Sequence, residues 1–115
     1  MSGLRLTPEN LASAYTFLRT THPFCKWRLP EAGAVKFAVI KTAKMHGDWA
    51  IINGQHRIRV SEGSVAHTDT LMASMAHEMI HIRCYVRGDK SDHGEMFQRY
   101  ARQVCKFHGF DPKLF

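Results

Sequence analysis

The chain has 115 residues, 44% hydrophobic and 23% charged. That balance suits one folded globular domain spanning 1–115 and excludes a disordered or fibrous chain. A formal net charge of +6 and a pI of about 9.6 favour partners that carry phosphate.

No apolar run approaches the length of a bilayer span, so no membrane partner is expected. Met1-Ser2-Gly3-Leu4-Arg5 lacks the hydrophobic region of a signal peptide. Cys25, Cys84 and Cys105 are odd in number, widely spaced and without a C-x-x-C pair. They read as reduced thiols packed as small buried hydrophobes. The expected location is the reducing cytoplasm, the nucleoid included.

Thr7-Pro8-Glu9 opens the first element, with Thr7 as cap and Pro8 at the tolerated first helical position. Leu11, Ala14, Tyr15 and Leu18 recur at helical spacing, which predicts an amphipathic helix over 8–20. Tyr15 and Phe17 read as core and surface packing. Residues 22–34 carry Pro23, Pro30 and Gly33 and read as loop or extended chain, with Trp27 in a short strand.

Val35 to Thr42 alternates Val35, Phe37 and Val39 against Lys36 and Ala38, which predicts a strand. Met45 to Asp48 reads as a turn, and Trp49 to Ile52 as a second strand. Asn53-Gly54 then predicts a hairpin into Gln55–Ser61, since both turn residues must accept positive φ. In the last strand Ile58 and Val60 face one way and Arg57 and Arg59 the other. A small antiparallel sheet with one apolar and one basic face follows. Lys36, Arg57 and Arg59 are its candidate phosphate contacts, set against an ordinary solvated face.

Thr68-Asp69-Thr70 supplies a cap and a first-turn acid for a long helix ended by Gly88. Leu71, Met75, Met79, Ile82 and Val86 form its apolar stripe. Beside that stripe, with Ser74, lies His77-Glu78-Met79-Ile80-His81, an H-E-x-x-H sequence. On a helix its two imidazoles stand one turn apart on one face and can share a metal ion. Glu78 is then beside the ion, where a general base for the attacking water must stand. This composition gives about 0.02 chance occurrences of the motif, so a helix and a third ligand must agree with it.

Ser91-Asp92-His93-Gly94-Glu95 leads into the last helix, with Asp92 as N-cap and Glu95 completing a capping box. Phe97, Tyr100, Ala101 and Val104 carry its apolar face, and Gly109 with Asp111-Pro112 stops it. A catalytic metal needs about three protein ligands and one open position. The metzincin pattern would place Gly and His where Cys84 and Arg87 stand, and is excluded. His93 is favoured as third ligand, because a chain turning at Gly88 can return it to the helix. Asp92 and Glu95 are the rivals, both already accounted for by capping. His22, His46, His56, His67 and His108 have no ligand-like spacing and read as surface or packing.

The H-E-M-I-H run, the His93-Gly94-x-x-Phe97 sequence after a loop, and Lys106-Phe107-His108-Gly109-Phe110 together resemble the SprT-like zinc metalloproteases, the family of Spartan-like catalytic domains. The match is clearest over 68–110. The resemblance implies an α+β, minimal zincin-like domain: N-terminal helix, small sheet, active-site helix and C-terminal helix. It implies Zn2+ held by His77, His81 and His93, Glu78 as catalytic acid/base, and hydrolysis of proteins associated with DNA. Glu95-Met96 stands where many relatives have Pro-Glu, at positions that are not ligands. No zinc-ribbon cysteines follow, so DNA contact is expected from the basic domain itself. Tyr85 and Tyr100 are the candidate oxyanion partners.

Two other readings compete. A zinc-dependent nuclease-type hydrolase of the ribosomal-RNA-processing kind would place its third histidine closer to the second and lacks the glutamate after the first. A non-catalytic, zinc-stabilised DNA-binding module would want a fourth protein ligand, and no cysteine has suitable spacing.

Overall fold

The computed structural model describes residues 5–42, 44–63 and 68–115, with Thr68 and Asp69 given as backbone alone. The helix α1, Pro8–Arg19, starts where Thr7 accepts a hydrogen bond from the Asn10 N–H at 3.0 Å. Its stripe of Leu11, Ala14, Tyr15 and Leu18 is buried, while Phe17 faces solvent. Burying each leucine contributes about 1.5–3 kcal/mol. Tyr15 meets Phe37 edge-on at 5.4 Å and donates its hydroxyl to the Pro30 carbonyl at 2.6 Å.

The following segment contains two short 3-10 turns, Phe24–Lys26 and Ala32–Ala34, rather than the strand expected around Trp27. Trp27 is buried between Phe24 and Tyr100, with the Arg83 guanidinium over its ring. Ring packing outweighs any extended preference there. Cys84 and Cys105 are buried as expected, but Cys25 is exposed.

Three strands follow: β1, Val35–Ile40; β2, Gly47–Ile52; and β3, Gln55–Ser61. The Asn53-Gly54 turn has both residues at positive φ, 52° and 77°, and joins β2 to β3 as an antiparallel hairpin. The sheet as a whole is mixed, not antiparallel. Its order is β1-β3-β2, and β1 runs parallel to β3. A hairpin signal fixes the neighbour across its turn but not the strand on the other side. Burial decides that: Ile58 and Val60 of β3 are fully buried, so β3 takes the centre and β2 an edge. The expected turn at Met45–Asp48 is shorter, because Gly47 and Asp48 already belong to β2. Asp48 stands opposite Arg59 and holds its guanidinium through both carboxylate oxygens.

The central helix α2, Thr68–Val86, packs against α1, β2, β3 and the last helix. The cap expected of Thr68, the acid of Asp69 and the histidine at 67 lie outside what is described. Leu71, Met75, Met79 and Ile82 are buried, as are Ala76 and Ile80, so α2 is enclosed on more than one side. Val86, placed on the stripe from spacing, is exposed in the last turn of the helix. The helix α3, Glu95–His108, buries Phe97, Tyr100, Ala101 and Val104 and closes at Gly109, φ 77°. Among the described residues no helix is long and apolar enough to cross a membrane.

Candidate metal centre

His77 and His81 project from consecutive turns of α2 with ring centroids 5.1 Å apart. The third histidine arrives through a loop with three local constraints. First, α2 ends in a Schellman motif: Gly88, φ 78°, donates its N–H to the Tyr85 carbonyl, and the Asp89 N–H reaches Cys84, each at 3.0 Å. Second, Asp89 Oδ1 accepts from both the N–H and the hydroxyl of Ser91, each at 3.1 Å. Third, His93 itself adopts φ 54°, a left-handed conformation uncommon for residues other than glycine. Gly94 follows because a Cβ there would lie 2.7 Å from the Ser91 Cβ.

The result is convergence. His93 Nε2 lies 2.9 Å from His77 Nε2 and 3.2 Å from His81 Nε2. The three donor atoms all lie within 4.8 Å of one another. A small tetrahedral ion with metal–nitrogen bonds of about 2.0–2.1 Å spaces its donors about 3.3–3.4 Å apart. The residues fit a divalent ion with one position left open. His93 Nδ1, the nitrogen facing away, meets Asp92 Oδ1 at 3.1 Å. Such an outer carboxylate fixes the ring and its tautomer. Asp92 is therefore not the N-cap of α3. The helix starts later, at Glu95 after Gly94, with no side-chain cap. The turn that aims His93 has displaced the expected capping box. Phe97, fully buried, lies beneath all three imidazoles with centroid distances of 4.9, 4.8 and 4.6 Å.

Burial keeps the two helix histidines neutral. Both His77 and His81 are pushed down to about 4, chiefly by desolvation, with neighbouring histidines adding to it and Asp92 opposing. Neutral imidazoles present lone pairs to a metal without first losing a proton. Glu78 is buried beside them. Burial, aided by Asp48 and Asp92, pushes its carboxyl up to about 8. A cation on the histidines would pull it back down.

Two clefts flank this centre. One, of about 220 Å3, opens on His77 and Glu78 and is walled by His46, Gly47, Ser74 and Leu114. The other, of about 280 Å3, opens on His81 between Trp49, Tyr85 and the 89–92 loop. Strand β2 runs beside both. His46 and Ser61 share a ladder hydrogen bond, so the antiparallel alternation points the backbone groups of Gly47, Trp49 and Ile51 to the open edge.

The remaining expected residues divide. Lys36, Arg57 and Arg59 share the outer sheet face, Lys36 being in register with Arg57. Lys36 is exposed, but Arg59 is committed to Asp48. Tyr85 borders a cleft, whereas Tyr100 packs on Trp27 and Arg83, apart from the three histidines. Sequence spacing missed His46, Ser74 and Leu114 as cleft walls, and Trp49, whose ring stacks on His81. Of these only Ser74 carried a signal, its shared helix face with His77.

The fold and site define a small α+β domain whose H-E-x-x-H helix and following loop form a three-histidine centre suited to a metal ion. The profile of the SprT-like family matches residues 13–114, nearly the whole length. The chain belongs to the SprT-like family, which marks it as a metallopeptidase-like domain. No individual curated protein matches it.

Proposed function

We propose that the protein is an intracellular zinc-dependent endopeptidase acting on DNA-associated proteins, with His77, His81 and His93 as ligands and Glu78 as acid/base. The observation that carries this reading is the convergence of three imidazoles next to one buried carboxylate in a cleft beside an open strand edge. Zinc held there would supply a Lewis acid that acidifies water and polarises a peptide carbonyl. Glu78 takes the proton of the attacking water and passes it to the leaving amine. The backbone of Gly47, Trp49 and Ile51 pairs with an extended substrate segment, which gives sequence-tolerant binding. Tyr85 stands on the His81 side of that track.

Two features favour this over the rival readings. A glutamate directly after the first histidine serves proton transfer and has no place in a purely structural site. Among the described residues, no fourth His, Cys, Asp or Glu joins the three histidines to close the coordination. For DNA, the support is the net charge together with the exposed Lys36 and the half-buried Arg57 beside it.

The test is Glu78→Gln. It is expected to retain bound zinc and fold while cleavage of a DNA-binding protein, measured with and without single-stranded DNA, falls to background. Undiminished cleavage by the variant would remove Glu78 from the mechanism.

A further inference from the structure

Behind His81 stands a chain of aromatic contacts that the hydrolytic reading does not use. The indole of Trp49 lies parallel to the His81 imidazole, centroids 5.9 Å apart and planes within 10°. The indole N–H donates to His56 Nδ1 at 3.0 Å. An indole can only donate, so Nδ1 of His56 must be the acceptor and its proton must sit on Nε2. Tyr85 closes the group, 5.5 Å from Trp49 and edge-on to His56 at 5.7 Å. Trp49 on β2 and His56 on β3 both come from the inner sheet face.

We infer that His56 is a positioning residue for the metal centre: by accepting the Trp49 N–H it fixes the indole plane, and the indole plane fixes the ring of His81. The physical reason is freedom. His81 has no hydrogen bond to its Nδ1 among the described contacts, unlike His93 with Asp92. A metal-ligating histidine is ordinarily oriented by a partner on its second nitrogen. Here a stacked ring does that work, and a stacked indole is only as fixed as its own rotation about the Cβ–Cγ bond. The bond to His56 removes that rotation. Burial lowers the His56 imidazole below its usual range, which keeps Nδ1 free to accept at neutral pH.

The inference rests on the metal reading of the three histidines and not on proteolysis. Its test is zinc affinity, measured by competition with a chromogenic chelator, together with the visible spectrum of the Co2+-substituted protein. His56→Ala is expected to weaken zinc binding about tenfold, the lower end for loss of an outer-shell partner, and to alter the Co2+ bands. His56→Asn, whose side-chain oxygen can take the place of Nδ1, is expected to restore both. Trp49→Phe keeps a ring against His81 but removes the N–H. It should weaken zinc binding by itself, and adding His56→Ala to it should cost nothing more. Because Trp49→Phe leaves His56 in place, it probes the same bond if His56→Ala fails to fold. A folded His56→Ala with wild-type affinity, equal losses in His56→Ala and His56→Asn, or additive losses in the double variant would overturn the assignment. A wild-type chain that takes up no zinc would overturn it together with the metal reading; zinc uptake with an indifferent His56 overturns the assignment alone.

Discussion

The ring of Phe97 stands edge-on to that of His93, 4.6 Å away and 75° inclined, while itself fully buried. One side chain thus belongs both to the core and to the floor of the metal centre. Phe97→Ala is expected to cost about 3–5 kcal/mol of stability, the usual range for a buried phenylalanine. Zinc affinity should fall with it, since all three imidazoles lose their floor. Phe97→Leu should recover most of the stability but less of the affinity. Denaturant titration with and without zinc separates the two effects.

His93 combines the proposed third ligand with an unfavourable backbone. Its φ of 54° suits glycine better than any L-residue. His93→Gly should therefore abolish tight zinc binding while leaving the zinc-free protein as stable as wild type, or more stable by up to about 1 kcal/mol. His93→Ala should lose zinc without that compensation. Thermal unfolding of both variants in chelator makes the comparison.

Gly47 has no room for a side chain, because a Cβ there would lie 2.4 Å from the Arg59 carbonyl oxygen, a backbone atom that cannot swing aside. Gly47→Ala must push β2 away from β3 and is expected to cost about 1–3 kcal/mol. Since β2 carries both the proposed substrate edge and Trp49, cleavage should fall further than stability does.

The Asp48–Arg59 pair sets an acid limb. Hydrogen bonding from Arg59 holds the Asp48 carboxyl below its ordinary range. As pH falls, the unfolded chain takes up this proton first. The pair's contribution is therefore complete above the ordinary aspartate pKa of about 4 and is lost as pH drops through the lowered value. Asp48→Asn should lose about 1 kcal/mol at pH 7 and nothing once Asp48 is protonated in both states. The same variant frees Arg59. If the sheet face contacts phosphate, DNA affinity should rise and its salt slope steepen by about one. An unchanged slope would move DNA contact elsewhere.

Much of this organisation was legible because it is local. Helix spacing put His77, Glu78 and His81 together, the Asn53-Gly54 turn specified its hairpin, and Gly88 marked the helix end. What escaped was set at long range. Nothing in Asp92 announces that it will serve His93 instead of capping α3, since both roles use the same carboxylate within two residues. The parallel pairing of β1 with β3 depends on which strand is buried most deeply, a property of the packed sheet. Trp49 and His81 lie thirty-two positions apart, and no periodicity links them.

The loop that delivers His93 begins at the Schellman turn of Gly88 and ends at the first turn of α3. With His77 and His93 as ligands, a bound ion would act as a covalent-like staple across the segment between them. For a closure of about fifteen residues, chain entropy alone is worth about 3 kcal/mol. In a domain of this size that is a large share of the total stability. If the centre is loaded in this way, metal supply would govern how much of the protein survives in the cell, quite apart from any turnover of substrate.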